Sequence, residues 1–342
     1  MIVCIGEAVI DMFHKDGVFY PLPGGCAYNT SIAIGRLGAP AAFLGRLSKN
    51  FFGDIQVKRL SENNVNTGLL LRRDENPILA FIKTEEGMQP QYAFYEEGTV
   101  DRLLSEEELR SSLQKNNTPE ISCVVFGSIS MAMEPIATTI ENFLEPKTGD
   151  SSAFSVYSAA NAPPVIAFDP NIRPFMIKDR DAYMKRFIKW AGFCTIAKVS
   201  SEDFEFIFPD ASPKDALKKM SALGTQLAIV TLGPEGAIAL LKRSDGSVIE
   251  AGVPGISIEK TADTVGAGDT FLGAFLSRLS LRGKMSRRGI ENLSEAELLE
   301  ALTFANKAAA IVCTRNGAQP PSLAEIENYF PVSTTTSLSK PL

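Results

Sequence analysis

Cys123-Val124-Val125-Phe126 is an unbroken apolar run, closed at once by Gly127-Ser128. A strand with one wet face alternates apolar and polar residues. A run without alternation reads as a strand covered on both faces, the habit of parallel sheets. The same reading, carried outward, predicts strands over 2–5, 41–45, 123–127, 165–169, 193–197, 227–232 and 237–241. Helical periodicity falls between and after them, over 28–37, 52–63, 105–113, 134–144, 180–191, 213–223, 268–281, 295–315 and 322–329. This alternation is that of a doubly wound α/β fold, a mostly parallel sheet with helices on both faces. One domain over 1–331 is expected, and the Ser/Thr-rich stretch 332–342 is expected to be a disordered tail.

One region breaks the pattern. Residues 12–22 and 67–98 alternate, as in Ile78, Ala80 and Ile82, and carry turn signals. They read as antiparallel strands inserted at one edge. Such an appendage serves as a lid, as a dimer surface, or as a plain edge hairpin. The segment 145–164 reads as a loop.

Composition excludes several classes of function. The 342 residues carry a net charge of -6 and no long basic run, which argues against a nucleic-acid surface. No apolar stretch approaches the roughly 20 residues of a membrane span. The chain opens directly on a strand without a signal peptide, so a cytoplasmic location is expected. Cys4, Cys26, Cys123, Cys194 and Cys313 have no pairing or metal spacing and read as reduced core thiols. His14 is the single histidine, which rules against a histidine metal site or a Ser-His-Asp triad.

The chemistry-bearing residues gather at strand ends, where α/β sheets bind ligands. Gly6-Glu7-Ala8-Val9-Ile10-Asp11 ends in a carboxylate, and Gly24-Gly25 feeds a helix carrying Asn29. Asp169, Asn171 and Arg173 cluster between stiffening prolines; Arg173 either clamps a phosphate or sugar oxygen or makes a structural ion pair. In Lys198-Val199-Ser200-Ser201-Glu202-Asp203, Ser200 and Asp203 have helix-cap spacing, while the acids also suit a water-coordinated magnesium. Thr231-Leu232-Gly233-Pro234-Glu235-Gly236 ends another strand. Asp263-Thr264-Val265-Gly266-Ala267-Gly268-Asp269-Thr270-Phe271 is a glycine turn opening a helix, with a carboxylate set inside an anion site. That placement makes sense if Asp269 takes a proton from a hydroxyl while the turn holds a phosphoryl group. Walker A and Gly-x-Gly-x-x-Gly motifs are both missing from the positions they would occupy.

In this order the motifs resemble the ribokinase-like, or PfkB, family of carbohydrate kinases, from Ile2 to about Phe330. The stretch 263–271 is similar to the family's C-terminal signature. Gly25 and Asn29, followed by Gly35-Arg36-Leu37-Gly38 and Gly45, are similar to its N-terminal one. The resemblance implies a doubly wound sandwich with a small β lid, a homodimer formed through that lid, and ATP-dependent phosphorylation of a sugar or related alcohol. It implies Asp269 as catalytic base, the amides of Gly266, Ala267 and Gly268 as anion hole, and Arg173 beside them. Asp11, Gly24, Gly25 and Asn29 would hold sugar hydroxyls together with Asp269. Lys198, Ser200, Thr231, Gly233, Gly236, Gly268 and Asn306 would meet ATP. The family's Asn-x-x-Glu is here Ser200 and Asp203, so Asp203 would order magnesium through water. Asp263, with the carbonyls of Val265, Val312 and Gly317, resembles a monovalent-cation site, which implies potassium. An ordinary aspartate, with pKa about 4, would be ionised at neutral pH without tuning.

The substrate is read from fewer residues. Cys26 stands where ribokinases carry lysine, which disfavours ribose. Phe94-Tyr95-Glu96-Glu97 lacks the arginine expected of a 2-keto-3-deoxygluconate kinase, which disfavours an acidic sugar. The strand-end motifs are most similar to bacterial fructokinases, implying D-fructose to fructose 6-phosphate. The alternatives are another neutral sugar, adenosine, or a non-catalytic sugar- or nucleotide-binding regulator on the same fold.

Overall fold

The computed structural model describes residues 1–83, 91–114, 119–145 and 163–330. The tail expected over 332–342, and all but the ends of the loop expected over 145–164, lie outside the described residues.

The main sheet has nine strands. From one edge these are Val248–Pro254, Gly236–Lys242, Leu227–Thr231, Ile196–Ser200, Val165–Asp169, Cys123–Gly127, Ile2–Ile5, Ala41–Leu44 and Val65–Asn66. All neighbours pair parallel except the two antiparallel pairs at the Val248–Pro254 edge. The chain starts in the middle, at Ile2–Ile5, and winds outward through Ala41–Leu44. It then returns to Cys123–Gly127 on the other side and winds away. The reversal between Ile2–Ile5 and Cys123–Gly127 is the topological switch point, where such sheets open a ligand crevice at their carboxyl ends.

Period-2 strand geometry divides the core. Ile2 and Cys4 join one apolar cluster, and Val3 and Ile5 join the other. Helices Cys26–Arg36, Ala267–Leu281 and Glu295–Val312 feed the first; Ile136–Leu144, Arg180–Phe193 and Pro213–Leu223 feed the second. Ala267–Leu281 and Cys26–Arg36 touch almost backbone to backbone. A Cβ on Gly273 would lie 2.7 Å from Ala33 Cβ and 3.1 Å from Thr30 O. This approach sets the N-terminal ends of the two helices side by side.

The strand expected at 193–197 runs instead from Ile196 to Ser200. Phe193 still belongs to the preceding helix, and its ring stacks on Phe126 with centroids 6.0 Å apart. Val248–Pro254 is a strand that the apolar-run reading missed. As an edge strand it buries only Ala251 and Val253 fully and offers no continuous apolar run.

The inserted region is a second, four-stranded sheet in the order Val18–Gly24, Val9–Lys15, Leu79–Lys83, Gln91–Tyr95. It is not wholly antiparallel as expected. Val9–Lys15 and Leu79–Lys83 pair parallel, with Asp11 opposite Ala80. The physical reason is that two hairpins, one from each inserted segment, meet along strands running the same way. Leu71–Arg73 is not part of this sheet and pairs parallel with Arg46–Ser48. Val9–Lys15 follows Ile2–Ile5 after Gly6-Glu7-Ala8, so the lid grows directly from the central strand.

Candidate active site

The helix Ala267–Leu281 begins without a side-chain cap. Gly266 stands at its N-cap with φ +77°, left-handed backbone that a β-carbon disfavours. A Cβ there would also lie 2.5 Å from Ala318 Cβ. The first amides of a helix have no intrahelical acceptor, and the dipole adds positive potential, so this bare start attracts an anion. The Ala267 amide donates to Thr264 O at 3.2 Å. The three-amide anion hole is corrected to that extent: Ala267 is turned into its own turn, which leaves Gly266 and Gly268 as its candidates. Beneath Gly268 lies an ammonium; a Cβ on Gly268 would be 2.8 Å from Lys198 Nζ.

Asp269 is buried one residue further on. Asn29 Nδ2 donates to its Oδ2 at 2.9 Å, and the Cys26 thiol lies beside the same carboxylate. Asn29 Oδ1 is buried and has no partner among the described residues, so this amide holds one acceptor in reserve. Burial pushes the Asp269 pKa up, while Asn29, Cys26, Lys198 and Arg173 oppose the shift. Asp269 is therefore not the untuned aspartate expected from its residue type.

Lys198 and Asp169 form a buried ion pair at 3.0 Å. Burial works against the ammonium, but Asp169 and Asp203 outweigh it and raise the Lys198 pKa. Asp169 is itself pushed up to about 6, first by burial and against the pull of Lys198. Cys26 Sγ and one oxygen each of Asp169 and Asp269 lie within 4.8 Å of one another. Neither the thiol's contact nor the Asp169–Lys198 pair was singled out from sequence, because the partners are far apart along the chain. Glu7 was missed for the same reason. It is buried, accepts from the amides of Cys26 at 3.2 Å and Ser130 at 3.3 Å, and takes the Ser130 hydroxyl as well. It therefore ties the first strand end, the first helix and the Cys123–Gly127 strand end together across the switch point.

Asp11 reaches this centre from the lid. Its pKa is pushed up to about 7 by burial and by Asp269, against Arg173 and Arg59. Gly24 lies against it; a Cβ there would be 2.1 Å from Asp11 Oδ2. Gly25 caps the helix that presents Cys26 and Asn29. Arg173 is exposed and folds onto Asn171, with Nη1 2.8 Å from Asn171 Oδ1. Its charge acts on both Asp11 and Asp269. Asp11, Gly24, Gly25, Asn29, Arg173, Lys198 and Asp269 thus gather at one centre.

The remaining expected residues are placed as follows. Ser200 accepts from the Asp203 amide at 3.1 Å, and Asp203 Oδ2 accepts from Ser200 N at 2.8 Å, a complete capping box. Asp203 Oδ1 accepts from Ile172 N at 2.6 Å. With both oxygens committed and only 2% of its surface exposed, Asp203 does not fit as a magnesium ligand; it is a cap. Thr231 ends its strand beside Ser200. A Cβ on Gly233 would meet nothing within 4 Å, whereas one on Gly236 would lie 2.1 Å from Val253 O. Gly233 is open to a ligand, and Gly236 is needed for backbone approach. Asn306 Nδ2 donates to Pro254 O at 3.0 Å, fixing the edge strand to its helix. Asp263 accepts from Val265 N at 3.1 Å and Gly317 N at 2.9 Å. It draws the Val265 and Gly317 loops together, and Ala262 N reaches Cys313 O, next to Val312, at 2.8 Å.

A bare helix start, a buried carboxylate beside it and a small β-sheet carrying a second carboxylate fit a phosphotransferase with an alcohol acceptor. The family model described as pfkB family carbohydrate kinase matches residues 1–325, and the chain belongs to that family. A fructokinase of Rhizobium leguminosarum bv. trifolii is 33% identical over 304 residues, spanning 87% of this chain and 85% of the relative. The structure of a fructokinase with bound ATP from Xylella fastidiosa superposes with a TM-score of 0.79 at 22% identity, covering 96% of this chain and 97% of that one. Aminoimidazole riboside kinase from Salmonella enterica superposes at 0.75 with 22% identity, covering 96% and 99%. The chain is therefore a sugar kinase by family, and these solved structures share its fold. The five cysteines are free, and no helix among the described residues is long and apolar enough to cross a membrane.

Proposed function

We propose that the chain transfers the γ-phosphoryl group of ATP to the C6 hydroxyl of D-fructose. The observation that carries this reading is Asp269, held by Asn29 at 2.9 Å beside an uncapped helix start. Phosphoryl transfer needs alignment and charge stabilisation more than covalent chemistry. Asp11 and Asn29 would orient the sugar so that its hydroxyl faces Asp269. Asp269 would take the hydroxyl proton as the oxygen attacks. The Gly266 and Gly268 amides, with Lys198 beneath, would meet the negative charge spreading over the phosphoryl oxygens. The four-stranded sheet would exclude water. Thr231 and Gly233 would border the nucleotide.

Magnesium would arrive on the ATP phosphates and neutralise part of their charge. Asp263, with the carbonyls of Val265, Val312 and Gly317, would hold potassium beside the transfer turn. Fructose as acceptor is supported by the 33% identical fructokinase, by Cys26 in place of lysine, and by Phe94-Tyr95-Glu96-Glu97, which lacks an arginine for a substrate carboxylate. The aminoimidazole riboside kinase shows that this fold also serves a different acceptor.

One face of the lid carries the Phe19, Phe81 and Tyr95 rings in edge contact in series, with Phe19 and Tyr95 exposed. A second copy of the chain is proposed to cover it, in a cytoplasmic homodimer. Coupled ADP release over fructose, ribose, adenosine, tagatose and 2-keto-3-deoxygluconate, with and without potassium, tests the reading. Fructose should give the highest kcat/KM. ATP binding without ADP from any acceptor would instead favour the non-catalytic regulator.

A further inference from the structure

A cavity of about 240 Å³ adjoins the sugar-facing part of the lid, with Asp11 in its wall. Three guanidinium groups line it: Arg36 from helix Cys26–Arg36, Arg59 from helix Phe51–Glu62, and Arg315 from the loop after helix Glu295–Val312. Arg36 donates to Asn63 Oδ1 at 2.9 Å and to Glu325 Oε2 at 3.1 Å. Its Nε is buried without a partner among the described residues. Arg59 donates to two neutral carbonyls, of Pro23 at 3.0 Å and of Ala318. Arg315 donates to Glu325 Oε1 at 2.5 Å and to the Gln319 carbonyl at 3.1 Å. The acids nearby are Glu325, shared by Arg36 and Arg315, Asp11 in the wall, and Asp263 behind the wall residues Val265 and Gly317, while no carboxylate is a hydrogen-bond partner of Arg59 among the described residues. The space far exceeds the roughly 30 Å³ of one water.

Guanidinium groups present planar forks of donors that match phosphate oxygens. We propose that this cavity binds a phosphate-class anion, either free phosphate or the phosphoryl end of a phosphorylated sugar, and that its occupancy opposes sugar binding. The opposition follows from the shared wall. An anion held by Arg59 would stand beside Asp11 and withdraw the cation that favours its ionised, hydroxyl-accepting form. By linkage, sugar and anion would each weaken the other by the same factor. The binding part is independent of the fructokinase reading, and only the effect on KM rests on it.

The test is isothermal titration of the full chain with inorganic phosphate and, separately, fructose 6-phosphate, against chloride at matched ionic strength. Saturable binding of one anion per chain is expected. Arg36→Gln should weaken it about tenfold, as expected for one lost charged contact. Glu325→Gln, which frees Arg36 and Arg315 from their competitor, should tighten it, and this gain cannot be imitated by misfolding. Fructose 6-phosphate also enters the transfer site as product, so the source is assigned from the binding that Arg36→Gln weakens: tighter binding there for the sugar phosphate assigns that source, and equal binding there assigns free phosphate. In kinetics inorganic phosphate should raise the KM for the sugar and leave kcat unchanged, and Arg36→Gln should weaken that effect. No binding above the chloride control, or binding that neither variant alters, would overturn the proposal; the second result would place the anion at the glycine turn.

Discussion

Two helices begin beside Lys198, and they begin in opposite ways. Ser201–Ile207 is sealed by a capping box, in which Ser200 and Asp203 satisfy each other's backbone amides. Ala267–Leu281 starts at a left-handed glycine with no side-chain cap. A side-chain cap contributes about 1 kcal/mol to a helix start. A start that forgoes it, in a helix otherwise buried in the core, keeps its amides for something else. The contrast separates a structural acid from one the proposed reaction would use: Asp203 is spent on backbone, and Asp269 is held by the Asn29 amide with the Cys26 thiol beside it.

The comparison breaks most sharply at Asp269. Asp269→Asn should lower kcat by about a thousandfold or more, since a positioned general base contributes up to roughly 10⁴-fold. The Kd for ATP, measured by titration, should stay within about twofold; near-normal turnover would remove the base assignment. Gly266→Ala comes next. It meets a left-handed φ and the Ala318 contact, and it should cost about 1–2 kcal/mol of stability and roughly a hundredfold in kcat.

The effect of pH is third. Asp269 and Asp11 act ionised, and burial raises both pKa values, Asp11 to about 7. Their active forms are lost as pH falls through those raised values, so kcat/KM should fall up to about tenfold per unit on acidification below pH 7. Stability of the free protein should move the other way. Asp11, Asp101 and Asp169 have folded-state pKa values of about 7, 8 and 6, mainly through burial. Unfolding releases their protons over that window, so their contribution is present at low pH and is lost as pH rises through the folded values. The melting temperature should therefore rise from pH 8 to pH 5 while activity falls; parallel curves would contradict this account of the cluster. The smallest effect is at the sealed start. Ser200→Ala should cost about 1 kcal/mol and change kcat by less than about threefold. A loss like that of Gly266→Ala would mean that the sealed start also meets the nucleotide.

These two starts also show what was legible in the sequence. Both declare themselves locally, one as Ser-x-x-Asp and the other as Gly-Ala-Gly-Asp, because caps and turns are built from neighbours. Seven of the nine strands of the main sheet were legible for the same reason, through unbroken apolar runs, and the two edge strands Val248–Pro254 and Val65–Asn66 were not. What was not legible depends on distant residues. The Asp169–Lys198 pair, the Glu7 clamp on Ser130 and the Cys26 thiol on Asp269 join segments separated by 29, 123 and 243 positions. The parallel seam of the lid was hidden because alternation along a strand reports which face is wet and is silent on the direction of its neighbour. Arg36, Arg59 and Arg315 stand in segments far apart in the sequence, so only the fold brings them to one cavity.

Phosphorus NMR of the product formed from ATP and D-fructose tests the central claim most directly. Fructose 6-phosphate should accumulate in step with ADP, and Asp269→Asn should abolish both signals. ADP appearing with inorganic phosphate in place of a sugar phosphate, or a phosphate carried on another oxygen of the sugar, would contradict it.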